Sequence, residues 1–364
     1  MSHDRRRLNT PTQSCERAAR TVFRPTLPNE QAKVLAFIKR VFATESTPAS
    51  VEPKYVYWKY FQVRECWSGS RSYVLDRQNS IRAHGAVHPG TLLWNGKCYR
   101  TIHIIDWAAD PNVPGAGVSL LDRMTRMVDI TYAIGGSAAT KALVPEFGFK
   151  PMNELWVCAR PLRPFRQILT HQVRNIKLIP RFIRNTAWSL IPALRPDENW
   201  VALPAKPEDI APELWPTDSS GLGVIQRGSS FFQYFLTCDN VAFELYQIYK
   251  HGLAVGYFCL VWVPGQVRIA DLWMPSMAQE DLVAAYRLAT LTAFERGDAS
   301  EIVAASSTPV GQQSLLRSGF RVRSREPIMV YPRERFGGRP VTLHLQMIDN
   351  DAAHMHGEAP CYLT

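Results

Sequence analysis

The same order of elements runs twice along this chain, and that duplication limits the fold more than any other feature of the sequence. Each half opens on an aromatic patch, Tyr57-Trp58-Lys59-Tyr60-Phe61 in the first and Phe231-Phe232-Gln233-Tyr234-Phe235 in the second. Alternating apolar residues then predict strands over 72–75, 81–88 and 101–106 in the first half and over 243–248, 254–263 and 267–272 in the second. An aspartate, Asp106 or Asp271, ends each third strand, and a helix follows. The first of these helices places Val118, Leu121, Met124 and Val128 on one face, and the second, over 282–294, is rich in Ala and Leu. Both halves close on a short helix, a Gly-Phe pair and a last strand, through Gly148-Phe149 into 154–158 and through Gly319-Phe320 into 327–331. Twelve residues separate Ser137 from Phe149, and twelve separate Thr308 from Phe320. With 364 residues, 46% of them hydrophobic, the chain has material for two cores, since single cores rarely grow past about 250–300 residues.

Within the first half, the run from Thr101 to Met124 reads as strand, loop and helix, broken at Pro111 and reopening through Pro114-Gly115-Ala116-Gly117. Glycines at 115 and 117 allow backbone N–H groups to turn toward a ligand, and the helix start adds the positive end of its dipole, which together favour a pyrophosphate. No Gly-Lys-Ser/Thr follows, as a nucleoside triphosphate loop requires, and no third glycine completes G-x-G-x-x-G. Coenzyme A is the ligand that remains. The stretch resembles the acetyl-CoA loop of the GNAT (GCN5-related) N-acyltransferases, Arg/Gln-x-x-Gly-x-Gly/Ala, aligned on Asn112-Val113-Pro114-Gly115-Ala116-Gly117, with Asn112 departing from the first position.

The resemblance covers roughly 22–160 and 198–335. It implies an α/β (α+β) protein of two tandem GNAT-like domains, each a mixed, mostly antiparallel sheet flanked by helices. The expected division is a disordered tail at 1–21, an N-terminal domain with the CoA loop at 22–160, a basic amphipathic linker at 161–197, a degenerate C-terminal domain at 198–345 and a tail at 346–364. In the second half Met274-Pro275-Ser276-Met277-Ala278-Gln279 stands where the glycines would be, so no CoA is expected there. The alternation Leu343-His344-Leu345-Gln346-Met347 suggests one more strand.

The net charge of +10 is concentrated in one place. Residues 155–196 carry eight cations, Arg160, Arg163, Arg166, Arg174, Lys177, Arg181, Arg184 and Arg195, and no acid. Phe165, Ile168, Leu169, Val173, Ile176 and Ile179 lie among them at amphipathic spacing, with Pro180 and Pro192 dividing the segment. Three readings stay open: a helix packed across both halves, a surface for an anionic membrane through 163–195, and an RNA contact of the FemABX aminoacyl-tRNA type, which a CoA loop argues against. Seven scattered cysteines without a Cys-x-x-Cys pair argue against a disulfide framework and a zinc site and fit a reducing cytoplasm. The N-terminal arginines have no apolar run behind them, so this segment reads as a solvated tail and not as a secretory signal. The longest apolar run, 253–263, is half of what a membrane-spanning helix of about 20 residues needs.

For acyl transfer, Asn112, Gly115, Ala116, Gly117, Val118 and Ser137 are the expected cofactor-binding residues, with acetyl-CoA or another acyl-CoA as co-substrate and no metal. Asp106 is the expected base, since it ends the strand that lines the acyl site in the resembled fold. Trp58 and Tyr60 are expected to line the acceptor pocket. The tyrosine that protonates the thiolate in many members of the resembled family is replaced by Val144, and by Leu315 in the second half. Ser137 reads as a helix cap. His84 and His88 share a strand face without a third ligand and read as solvated or pocket-lining histidines, while His103, among apolar neighbours, reads as a core residue. The function implied is acyl-CoA-dependent N-acyltransfer, most simply of acetyl, to a small-molecule or saccharide amine, by a cytoplasmic protein, peripheral at most to the inner membrane surface, with a homodimer left open. A non-catalytic CoA-binding scaffold and a tRNA-dependent transferase are the alternatives.

Overall fold

The computed structural model describes residues 21–42, 52–170, 178–190, 196, 199–219, 221–337 and 341–364. The expected tail at 1–20 and the cations Arg174, Lys177 and Arg195 lie outside them.

Fourteen strands join one continuous sheet. In the first half these are β1 (Val22–Pro25), β2 (Ser72–Arg77), β3 (Ser80–Trp94), β4 (Lys97–Ala109), β5 (Ile130–Ile134) and β6 (Lys150–Pro161). The second half contributes β7 (Trp200–Pro204), β8 (Leu222–Ile225), β9 (Ala242–Lys250), β10 (Leu253–Val263), β11 (Gln266–Trp273), β12 (Glu301–Ser306), β13 (Arg321–Tyr331) and β14 (Thr342–His344). The order across the sheet is β1-β2-β3-β4-β5-β13-β6-β12-β11-β10-β9-β7, with β8 joining β3 to β14. Most pairs are antiparallel, but β4–β5, β11–β12 and the short β8–β14 are parallel. The terminal strands are exchanged: β13 lies between β5 and β6, and β6 lies between β13 and β12. Each half therefore completes the other's sheet.

The helices are α1 (Gln31–Phe42), α2 (Pro53–Tyr60), α3 (Ala116–Thr125) and α4 (Ala138–Glu146) in the first half, then α5 (Pro164–Leu169) and α6 (Leu178–Leu190) in the joint. The second half adds α7 (Ser229–Leu236), α8 (Gln279–Arg296) and α9 (Pro309–Arg317). The closing helices α4 and α9 start alike, with Ser137 and Thr308 each accepting the amide of the residue three positions on. α2 and α7 carry the two aromatic patches, which meet at the junction. Trp58 stacks on Tyr234 with centroids 4.8 Å apart and donates its indole N–H to the Tyr234 carbonyl. Such a ring pair adds about 0.5–1.5 kcal/mol beyond its buried area. The largest core cluster contains residues from both halves, Tyr55, Trp58 and Tyr132 together with Phe232, Phe235 and Ile348.

Three arginines of the joint are spent on backbone carbonyls. Arg160, fully buried, donates to Ser318, Arg163 to Phe294 and Ala299, and Arg166 to Gly297. Phe294 and Gly297 close α8, so two of these cations sit at the negative end of its dipole. The segment after 345, which sequence alone left as a tail, is packed: Met347, Ile348, Asp349, Ala353 and His354 are buried through two short 3₁₀ turns. Among the described residues, no helix is long and apolar enough to cross a membrane.

Candidate active site

β4 and β5 run side by side only from Thr101–Ile130 to His103–Tyr132. Beyond that point β4 continues to Ala109 paired only with β3 while β5 turns to β13, and a groove opens between β4 and β5. A bulge shapes its wall: Ala86 faces Ile105 and His84 faces Ala108, so one residue of β3 opposes two of β4, and Asp106 takes a left-handed φ of 49°. The groove holds two cavities, about 380 and 410 Å³, which share Phe42, Trp107, Ser137 and Thr140.

The outer cavity lies at the start of α3. Gly115 is the N-cap with φ 79° and offers no side-chain cap, and the first backbone bond of the helix runs from Ser119 N–H to Gly115 C=O at 2.9 Å. The amides of Gly117 and Val118 precede that donor and have no partner inside the helix. Both residues line the cavity. Gly117 answers a second demand, because a Cβ there would lie 3.2 Å from that of Ala109, and Trp107 Nε1 donates to its carbonyl at 3.2 Å. Its missing side chain thus lets α3 close onto β4. Ala116 is buried in the core beside Leu120 and Met124. Val118, expected among the cofactor-binding residues, lines the outer cavity and is 37% exposed. The Asn112 side-chain amide donates to Asp110 at 3.2 Å, and Asn112 is not among the residues lining either cavity. Ser137 caps α4 through Thr140 N–H at 3.2 Å and borders both cavities, so it serves as cap and wall together.

The inner cavity is walled by apolar residues, among them Ile104, Leu121, Ile134, Val144 and Phe149, and carries an acidic end. Lys59 Nζ lies 2.7 Å from Asp106 and 3.1 Å from Asp351, and Tyr60 Oη donates to Asp106 at 2.7 Å. Burial alone would lower the Lys59 pKa, but the two carboxylates outweigh it and hold the ammonium well above its usual value. Burial likewise pushes Asp351 up, and Lys59 outweighs it, so that carboxyl sits below its usual range. Two carboxylates sharing one ammonium leave a net negative charge suited to an incoming cation. Asp106, expected as a free base, is already engaged by Lys59 and Tyr60.

His103, the last residue of β4 paired with β5, lines this cavity. Burial lowers its pKa and keeps the imidazole neutral. Its Nδ1 lies 3.1 Å from the Tyr132 carbonyl, which can only accept, so the proton sits on Nδ1 and Nε2 is left as a bare acceptor. Sequence placed His103 in the core because its neighbours are apolar. His103 is buried and its Nδ1 is satisfied, as that reading expects, but Ile104 and Ile105 beside it also wall the groove. Asp351 and Met355 were also missed, since nothing local links residues near the C-terminal end to β4.

Other expectations are corrected. Trp58 is 5% exposed, stacked on Tyr234, and is not among the groove's lining residues. Tyr60 reaches the site only through Asp106. His84 and His88 are buried and not solvated: His84 bonds Ser72 Oγ and the Asp106 carbonyl, and His88 lies under Arg64. Val144 lies in the inner wall, where it can donate no proton.

The second half repeats the cleft and fills it. Its bulge falls at Ala270–Asp271, where Cys259 faces Asp271 and Leu260 faces Ile269. Asp271 is bound by Arg227 at 3.0 Å and by Tyr257 Oη at 2.9 Å. Gln346 inserts beside it, accepting from Leu272 N–H at 3.0 Å and donating to the Leu272 carbonyl and to Asp271, each at 2.9 Å. α8 begins with Glu280 and Asp281, which would repel a phosphate.

No protein-family model matches the sequence, and no curated protein matches it. Solved structures do resemble the fold. N-myristoyltransferase of Saccharomyces cerevisiae with bound myristoyl-CoA aligns over 89% of this chain and 86% of its own, at 10% identity and a TM-score of 0.57. A GCN5-related N-acetyltransferase from Anabaena variabilis aligns over 85% and 72%, at 12% identity and a TM-score of 0.54. A probable N-acyltransferase from Enterococcus faecalis aligns over 86% and 72%, at 12% identity and a TM-score of 0.51. The fold is that of the GNAT superfamily.

Proposed function

We propose that this protein binds an acyl-CoA in the first-half groove and transfers the acyl group to an amine. The observation that carries this reading is the uncapped start of α3, which opens on a groove running directly into an anionic inner cavity. In this reading the amides of Gly117 and Val118 hold the pyrophosphate, the apolar inner wall takes the acyl chain, and the Asp106–Lys59–Asp351 cluster draws in the ammonium. A cavity of about 380 Å³ has room for acetyl and for longer chains. The ammonium first gives up one proton to solvent to become the attacking amine. His103 Nε2 then takes a second proton from the nitrogen as the N–C bond forms and returns it to the sulfur as the C–S bond breaks. The products are an amide and free CoA. The yeast neighbour with bound myristoyl-CoA supports an acyl-CoA ligand for this fold.

The test is thiol release from acetyl-CoA and longer acyl-CoAs with a panel of small-molecule and saccharide amines, on wild type and His103→Gln. Release that falls about 10²-fold or more in the variant, with acyl-CoA affinity kept, supports the assignment. A second reading, a CoA-binding scaffold without turnover, is favoured by Val144, and acyl-CoA binding without thiol release from any amine would select it.

Peripheral contact with an anionic bilayer is also proposed. It is supported by the exposure of Phe165, Leu169, Ile179, Ile183 and Leu190 (61–72%) in a strongly basic segment. On α6, residues 179, 183 and 190 fall within one stripe of the helix, while Asn185 and Trp188 anchor the opposite face.

A further inference from the structure

A separate cavity of about 350 Å³ opens at the junction of the halves and shares no lining residue with the groove. Its walls come from the loop after α2 (Arg64, Cys66), from β3 (Gly90, Thr91) and from the turn into α7 (Gly228, Ser230).

Arg64 is 5% exposed, and its guanidinium carbon lies 4.9 Å from the Tyr234 ring, 5.3 Å from Phe235 and 5.4 Å from Phe231. Its polar partner is His88 Nε2, at 3.4 Å from Nη2, and Nε is buried without a partner. Burial pushes the His88 pKa well below its usual value, so this neighbour is neutral. Among the described residues, no carboxylate lies within ion-pair distance of Arg64. Arg227, the other guanidinium at the cavity, is already saturated by Asp271 and Asp349. Aromatic faces soften the cost of a buried cation but do not neutralise it, and a buried charge calls for a counter-charge.

The rest of the cavity supplies donors. α7 starts at Gly228 without a side-chain cap, and its first backbone bond runs from Phe232 N–H to Gly228 C=O at 3.3 Å, which leaves the Ser229 and Ser230 amides outside the helical ladder. Thr91 and Ser230 line the same space. One carboxylate, the exposed Glu65, is bonded to Ser230 Oγ. A buried fixed cation, a helix start and Thr91 converge on one cavity.

We infer that this cavity is a second ligand site, selective for an oxyanion, a carboxylate or a phosphoryl group, whose charge Arg64 neutralises. The inference does not depend on acyl transfer in the first-half groove. It is tested on the full chain by calorimetric titration and thermal unfolding with inorganic phosphate and with acetate, against chloride at equal ionic strength. One probe should bind and raise Tm, and Arg64→Met should weaken that binding about tenfold or more, the loss of one charge-assisted contact. Binding of phosphate alone identifies a phosphoryl ligand, and binding of acetate alone a carboxylate. Arg64→Lys, which keeps the charge, should retain part of the affinity. Thr91→Val supplies the reading should Arg64→Met fail to fold: an affinity unchanged from wild type overturns the site, as does the absence of binding by either probe or binding that survives in Arg64→Met.

Discussion

The two clefts of this molecule are built alike and finished differently. In each, a parallel pair of strands parts after a few residues, a bulge presents an aspartate at the fork, and a tyrosine and a cation hold that aspartate. At the first fork the carboxylate side chain keeps 19% of its exposure, and the groove beyond it is open. At the second, Asp271 and Arg227 keep 1% and 2%, and Gln346 occupies the fork. The short closing segment serves both, giving Asp349 to Arg227 and, two residues later, Asp351 to Lys59. The fold therefore supplies two forks, while a handful of side chains decides that one stays open and the other is filled by Gln346.

Acid should break both forks together and have the largest effect. His84 beside the first bulge and His344 beside the second are each pushed down to about 4 by burial. The unfolded chain protonates these groups near 6.5, so it binds more protons than the folded state between about pH 6.5 and 4. Their stabilising contribution is complete above pH 6.5 and is lost as pH falls through that window, on the order of 3 kcal/mol for each histidine. Urea unfolding at pH 7, 5.5 and 4.5 checks it, and stability that is flat across this range would contradict the burial of neutral imidazoles.

Single substitutions should then separate the forks. Arg227→Met leaves Asp271 and Asp349 buried without a counter-charge and should cost about 3–5 kcal/mol in urea unfolding. Lys59→Met strands two carboxylates that water can reach, and about 1–2 kcal/mol is expected. Equal losses would mean that the first fork is as closed as the second. The smallest effect is expected outside both forks. Ile183→Asp should reduce co-sedimentation with phosphatidylserine vesicles about threefold to tenfold without changing stability, and unchanged co-sedimentation would remove the membrane proposal.

Much of this architecture is legible in the sequence because it depends on local pattern. Period-two runs give the strands, Gly115 and Gly117 mark the turn into α3, and the equal spacing to Phe149 and Phe320 gives the repeat. The exchange of β6 and β13 is not legible, because both strands carry the same alternation and either would satisfy either neighbour. Residue roles fail for a related reason. His103 sits among isoleucines of which Ile102 fills a core while Ile104 and Ile105 wall a groove, and Trp58, in an aromatic patch that could line a pocket, is packed into a core. Which applies depends on where β5 leaves β4, a property of the assembled sheet. Gly117 shows a third limit: the sequence marks the need for a missing Cβ, and only the structure shows that β4 as well as a ligand creates that need.

The central claim, that the first cleft is the acyl-CoA site, is tested most directly by titrating acetyl-CoA and myristoyl-CoA into wild type, Val118→Glu and Glu280→Ala. A glutamate at position 118 suits the first turn of α3 and leaves the core untouched, but it places a negative charge where the pyrophosphate would sit. The account predicts binding by wild type, a loss of about tenfold or more in Val118→Glu with unfolding unchanged, and no change in Glu280→Ala. Failure of wild type to bind either thioester, or undiminished binding in Val118→Glu, would contradict it.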